Sequence, residues 1–191
     1  MKRLLRCCGA GFVFTMLAFA ALTAHALTPM ELQRLLQSAA RPTLKFQEVR
    51  ESPWLAAPVT SSGTLRSTPD ALEKRVESPR PEVWRLLADR VEWQGAGEGG
   101  VKQIRHADVP ALAALSDVMR RVVAGDLVAL QRDFDIAVSG DERVWRVLLK
   151  PKNPSVARQL EQVELQGTGA LLQVIIVVER QGERTTTRLQ P

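Results

Sequence analysis

Few residues of this 191-residue chain have side chains that make or break bonds. The two cysteines, Cys7 and Cys8, stand side by side near the start, and the two histidines are His25 and His106. Past residue 26 the chain has no thiol and one imidazole. His106 has no second histidine with which to share a metal, and no Gly-x-Ser-x-Gly turn offers it a serine to activate. Gly95-Ala96-Gly97-Glu98-Gly99-Gly100 is glycine-rich, but neither Lys-Ser/Thr nor a helix follows it. It reads as a hairpin loop and not as a phosphate cradle. Asp133, Asp135, Asp141 and Glu142 crowd together, yet Ala137 stands where a calcium loop needs its third ligand. No two carboxylates are singled out for acid–base work. Asn153-Pro154-Ser155 has proline at its centre, so it is no glycosylation site. Catalysis, a metal and a cofactor are all unexpected.

Charge points the same way. The chain carries 26 Lys and Arg against 21 Asp and Glu, a formal net charge of +5. Lys2, Arg3 and Arg6 lie in the first 26 residues, which hold no acid, and the remainder is close to neutral. No stripe of cations interleaves with aromatics, which argues against nucleic acid. The same three cations precede an uncharged apolar run, Gly9 to Thr23, and then Ala24-His25-Ala26. That order is a secretory signal peptide, cleaved near Ala26. The run is shorter than the ~20 residues of a membrane span. Cys7 and Cys8 precede it, where a lipoprotein cysteine would follow it. The protein is therefore expected in the periplasm, as one domain over 27–191.

The elements that must position any site follow from the punctuation. Thr28-Pro29-Met30-Glu31 is a capping box with proline at the first helical position, and Leu32, Leu35, Leu36 and Ala39 share a face. Strands are predicted at 44–50, 59–67, 71–78, 82–87, 90–95 and 101–105, separated by Pro, Gly, Ser and Asp turns. A helix follows, with Asp108 as candidate cap and Gly125 as its close. Asp126 is a candidate cap for a second short helix carrying Leu127, Leu130 and Phe134. Strands resume at 134–139, 143–150, 160–166, 170–179 and 183–189. The fold class is α+β, mostly antiparallel β, with about eleven strands in one meander and three helices.

A strongly curved sheet has a concave face that something must fill. Alternation places Leu44, Phe46, Leu65, Leu72, Val76, Trp93, Trp145, Val147, Leu149 and Leu165 on it. Leu112, Leu115 and Met119 are the candidate lid. These residues fit an ordinary core or a cavity for an apolar ligand, and their pattern leaves both open. Lys74 and Arg75 are candidates for a headgroup contact.

The chain from the helix at Pro29 to its end resembles the periplasmic outer-membrane lipoprotein carriers, the LolA-like family, as a divergent branch. The resemblance rests on order and spacing. An amphipathic helix leads into Phe46-Gln47-Glu48, where the family has Phe-x-Gln. Gly63-Thr64-Leu65 matches its Gly-x-Leu strand, and Pro69-Asp70-Ala71-Leu72-Glu73-Lys74 its Arg-Pro-x-x-Phe-x-Trp, with Pro79 following. Val109-Pro110 to Val123 matches a proline-bearing loop and helix. Leu148-Leu149-Lys150-Pro151-Lys152 resembles its Leu-x-Pro-Lys, and Glu179 to Thr185 its closing hairpin. Thr68 replaces the arginine that ties the lid in lipoprotein carriers, Leu72 the phenylalanine and Lys74 the tryptophan.

The resemblance implies an incomplete, half β-barrel whose open concave face is capped by short helices. It implies a carrier that binds acyl chains of a lipoprotein or a lipid (glycolipid, polyene lipid or fatty acid) and moves them between inner and outer membrane. Its partners would be an inner-membrane donor transporter and an outer-membrane acceptor, and the carrier itself a monomer. One competing reading is an envelope-stress sensor on the same fold, since fold alone does not fix function. Such sensors usually carry a second domain, whereas this sequence stops at Pro191. The other is an envelope lipid-modifying enzyme, which the single histidine disfavours.

Overall fold

In the computed structural model, residues 27–39, 43–97 and 99–191 are described. The expected signal peptide, Met1–Ala26, lies outside the described residues, as does Glu98 of the glycine-rich loop. Helix α1 (Pro29–Ser38) opens as its sequence predicts. The Glu31 amide donates to Thr28 Oγ1 at 3.2 Å, and the Thr28 amide donates to Glu31 Oε2 at 2.8 Å. That reciprocal pair satisfies N–H groups that a helix start leaves orphaned. Leu32 and Leu36 are buried beneath the helix, with Leu35 half-buried beside them.

Eleven strands follow: β1 (Thr43–Glu51), β2 (Val59–Ser67), β3 (Leu72–Ser78), β4 (Glu82–Leu86), β5 (Arg90–Gly95), β6 (Lys102–Arg105), β7 (Phe134–Gly140), β8 (Val144–Pro151), β9 (Leu160–Thr168), β10 (Leu171–Glu179) and β11 (Arg184–Gln190). Each coincides with a predicted strand, ends shifted by no more than two residues. They form one sheet in the order β6-β5-β4-β3-β2-β1-β11-β10-β9-β8-β7, with antiparallel pairing throughout. The first and last strands meet in the middle, where Phe46 faces Leu189. The two edges, β6 and β7, are consecutive in the chain. The sheet is therefore an unclosed half-barrel, and the segment joining its edges, 106–133, has to cross the gap.

That segment contains α2 (Pro110–Val123) and a 3₁₀ turn, Val128–Arg132. Its caps differ from those expected. The residue before α2 is Val109, with no side-chain cap, because the Asp108 carboxylate accepts from Arg105 at 3.0 Å instead. Asp126 likewise accepts from Arg121 at 2.8 Å. The 3₁₀ turn is begun from α1, where Gln33 Oε1 accepts the Val128 amide at 2.8 Å. In both places an arginine within reach outcompetes the exposed backbone amide for the carboxylate. Gly125 has φ +73° just past α2, as a helix-closing glycine should. One further helical turn, α3 (Pro154–Ala157), is capped by Asn153 inside the stretch that reads as punctuation.

Side-chain alternation carries the core. Trp145 is 2% exposed, and its indole N–H donates to the Gly169 carbonyl at 2.8 Å. The ring lies over Gly167, directly opposite on β9. A Cβ at Gly167 would come within 2.1 Å of Trp145 Cζ2, so the residue beneath this indole has to be glycine.

Candidate functional site

The register assigns the concave face strand by strand. Val138, Val147, Leu165, Ile175 and Thr187 stand opposite one another in turn across β7 to β11. Leu44, Leu65, Lys74, Trp84 and Trp93 do so across β1 to β5. Eight of the ten residues expected on this face are buried: Phe46, Leu65, Leu72, Val76, Trp145, Val147, Leu149 and Leu165. Leu44 is half-buried against them. Trp93 lies on the same face but outside that cluster. Its ring sits 5.9 Å from Trp84, its Nε1 donates to Glu82 at 2.9 Å, and the Lys102 ammonium lies 4.6 Å from its centre.

Helix α2 covers this face. Its buried centre is Val118 and Val122, with Leu115 and Met119 half-buried on the core. Leu112 is only half-buried and outside the core cluster. The working stripe is thus Leu115, Val118, Met119, Val122, the i, i+3, i+4, i+7 arc of an amphipathic helix. Val118 was legible in that spacing, and the expected stripe starts one turn too early. The ion pairs of α2 are local: Arg121 to Asp117 and Asp126, each at 2.8 Å. Apolar packing carries its contact with the sheet. Ser116, 2% exposed, has no hydrogen-bond partner for its hydroxyl among the described residues. A buried polar atom of that kind costs about 1–3 kcal/mol, and here it weighs on the covered position of the helix.

Leu36, Leu44, Val122 and Leu172 border a gap of about 40 Å³, room for a water or two. A larger cavity, about 390 Å³, opens at the seam between the sheet edges, lined by His106, Pro110, Ala114, Phe134, Pro151 and Val156 among others. His106 Nδ1 lies 3.1 Å from the Ala88 carbonyl oxygen. Helix α2 thus packs on the concave face, and a second cavity, about 370 Å³, opens at the ends of β3 to β5, lined by Val76, Pro81, Glu82 and Val83 among others.

One polar cluster interrupts the apolar wall. Lys74 Nζ donates to both oxygens of Glu48, at 2.7 and 2.8 Å, and lies 5.0 Å from the centre of the Phe46 ring. Thr187, 4% exposed, donates to Glu48 Oε2 at 2.9 Å. Arg75, the next residue on β3, necessarily points to the other face, where it meets Glu73 at 3.2 Å. The two expected headgroup residues are therefore not brought together. Glu73 itself lies under opposing influences: burial raises its pKa, but Arg85 and Arg75 outweigh it and hold the carboxyl below the usual range. Thr68 is occupied in the β2–β3 turn, its hydroxyl donating to the Ala71 carbonyl at 2.9 Å. Among the described residues no three His, Cys, Asp or Glu side chains gather as a metal site, and no helix is long and apolar enough to cross a membrane.

A family profile described as "Outer membrane lipoprotein carrier protein LolA-like" matches residues 20–190. No curated protein matches significantly. Among solved structures, the chain is similar to a LolA superfamily protein from Nitrosomonas europaea (11% identity, TM-score 0.44, 87% of this chain and 93% of that one covered). It is similar also to a DUF1329 family protein from Desulfovibrio piger (10% identity, TM-score 0.46, 85% and 90% covered). A third, a candidate outer membrane lipoprotein-sorting protein domain from Vibrio parahaemolyticus, has 10% identity, TM-score 0.46 and coverage of 85% and 89%.

Proposed function

The chain belongs to the LolA-like family of outer membrane lipoprotein carrier proteins, and from that premise we propose that it binds acyl chains of a lipoprotein or lipid against its concave face and carries them through the periplasm. The observation that carries the reading is the source of the filling. Val118 and Val122, which occupy the hollow, belong to a helix packed on the sheet by apolar contact and not to the sheet itself.

Energetics require such a filling. Each methylene removed from water contributes ~0.8 kcal/mol. A cargo of roughly thirty methylenes would gain roughly 24 kcal/mol, beyond the ceiling of about 20 for reversible association, and would never leave. If α2 packs in the hollow when cargo is absent, binding exchanges lid–floor contacts for acyl–floor contacts. Only the difference remains as affinity, and an acceptor that binds a few kcal/mol tighter takes the cargo. The seam at Phe134 and Pro151 is the route by which a chain enters. Lys74, already beside Phe46, is the cation within reach of an anionic headgroup. On this reading the protein is a carrier and not an enzyme, and it serves an inner-membrane donor and an outer-membrane acceptor.

The test is equilibrium binding of a fluorescent fatty acid or lysophospholipid to delipidated protein. Saturable binding that tightens in Leu115→Glu, where the packed lid is weakened, supports the carrier. Absence of saturable binding, with Leu115→Glu indistinguishable from wild type, rejects it.

A further inference from the structure

The β1–β2 connection is unlike every other turn of the sheet. From Ser52 to Thr60 it reads Ser-Pro-Trp-Leu-Ala-Ala-Pro-Val-Thr, without a charge. Pro53 to Thr60 are all exposed, and Trp54 is 77%, Leu55 39% and Val59 45% exposed. The loop is held in this posture from below. The Leu55 amide donates to the Ser52 carbonyl at 3.1 Å, and the Trp54 amide to Ser52 Oγ at 3.3 Å. Its base rests on the β10–β11 turn, where a Cβ at Gly182 would approach Pro53 Cγ to 3.0 Å. A braced turn thus presents an indole to solvent.

The two ends of the half-barrel differ in charge. Antiparallel order puts the β1–β2, β3–β4, β5–β6, β8–β9 and β10–β11 connections and the start of β7 at one end, and the β2–β3, β4–β5, β6–α2, β7–β8 and β9–β10 connections at the other. By sequence, the connections at the Trp54 end carry Arg80, Lys152, Arg158 and Arg180 against Glu98 and Glu183, and Asp133 precedes β7 there. Those at the far end carry Asp70, Asp89, Asp108, Asp141 and Glu142 against Arg143. The apolar loop therefore projects from the end with a slight excess of cations, opposite the acidic end.

We propose that this end docks on an anionic lipid surface, with Trp54 and Leu55 seated at the headgroup–acyl boundary and the surrounding cations over lipid phosphates. Tryptophan favours that boundary because its ring is apolar and its N–H polar. The exposed surface of Trp54, Leu55 and Val59 comes to roughly 300 Å², well below the ~800 Å² each partner contributes to a stable protein interface. A shallow insertion assisted by charge needs no larger area. This goes beyond the carrier reading, because the loop belongs to neither floor nor lid.

The experiment is flotation of cargo-free protein with phosphatidylcholine vesicles, with and without phosphatidylglycerol. Wild type should float with the anionic vesicles and detach as salt rises. Trp54→Ser should bind about tenfold more weakly, and Arg80→Glu with Arg158→Glu should remove the preference for phosphatidylglycerol. Acyl-brominated lipid should quench wild-type fluorescence and lose that component in Trp54→Phe. Wild type that ignores anionic vesicles, or Trp54→Ser that binds them equally well, overturns the proposal. So does Trp54-dependent self-association in sedimentation velocity without lipid, which would give the loop to a second copy. The variants alter exposed residues, and unchanged thermal unfolding verifies that they fold. Vesicle lipids also carry acyl chains, so binding of monomeric fatty acid to Trp54→Ser is measured alongside: if it is unchanged there but weakened on vesicles, the loss belongs to docking and not to the carrier site.

Discussion

Lys74 and Glu48 form an ion pair of 2.7 Å although they stand on β3 and β1, strands that flank β2 and do not pair with each other. Their side chains are 23% and 17% exposed, so the pair sits at the border of the apolar wall and not on the open surface. Removing one partner leaves the other partly desolvated. Lys74→Met should cost about 2 kcal/mol and lower Tm by roughly 4–8 °C. Glu48→Gln combined with Lys74→Met should cost less than the sum, by about 1 kcal/mol of coupling. Lys74→Met should also weaken binding of a fatty acid while leaving its methyl ester unaffected. Thermal unfolding and binding titrations check both, and equal loss for acid and ester would remove Lys74 from headgroup recognition.

Ser116 and Val118 should act on the lid in opposite directions. Ser116→Ala removes a buried hydroxyl without a partner, so the packed lid should gain about 1 kcal/mol and acyl affinity should fall about fivefold. Val118→Ala deletes methyls from the filled hollow. It should destabilise by about 1–2 kcal/mol while tightening acyl binding. Parallel changes in stability and affinity would contradict competition between lid and cargo.

Glu179 and Glu183 give the stability a specific pH signature. Burial, and then the Glu183 carboxylate, hold Glu179 above the ordinary glutamate value, while the hydrogen bond from Arg50 holds Glu183 below it. Folded Glu179 takes up a proton more readily than unfolded Glu179, so its charge is a penalty at neutral pH that fades as pH falls through the raised pKa. Glu179→Gln should therefore raise Tm at pH 7, and the gain should vanish below 4.5, the ordinary value. Glu183 has the opposite sign. Glu183→Gln should lower Tm at pH 7, and that loss should persist down to the depressed pKa, below 4.5. Both effects are small, because the carboxylates are only half-buried and Arg50 is exposed, so solvent screens them. Tm measured across pH for the two variants checks the signs.

Thr68 stands where the family resemblance places a lid-tying arginine, and here it serves the β2–β3 turn instead. Thr68→Val should cost about 1 kcal/mol of stability and leave acyl affinity unchanged. A shift in affinity would show that the turn communicates with the lid.

The strands were legible because their limits are written in local chemistry, such as Pro69-Asp70, Gln181-Gly182 and the glycines around residue 97. The inward residues followed from a period of two. Asp108 and Asp126 look like helix caps in the sequence but do not cap, because their carboxylates have arginine partners that local spacing does not rank. The Glu48–Lys74–Thr187 cluster joins three strands, and residue 187 is distant in sequence from residue 48. No periodicity joins them, and only the β1–β11 pairing does. The buried centre of the lid, Val118, was present in the sequence as an i, i+3, i+4, i+7 arc, but weighting Leu112 concealed it. Arg75 adjoins Lys74 in sequence, but neighbours on a strand face opposite ways.

Hydrogen–deuterium exchange of α2, followed during titration of delipidated protein with lysophospholipid, tests the displacement of the lid most directly. If acyl chains take the place of Val118 and Val122 on the floor, amides of 114–123 lose protection saturably, at the same lipid concentration at which fluorescence reports binding, while β8 to β10 stay protected. If α2 keeps its protection through saturation, or gains it, the hollow is a fixed core and the chains bind elsewhere.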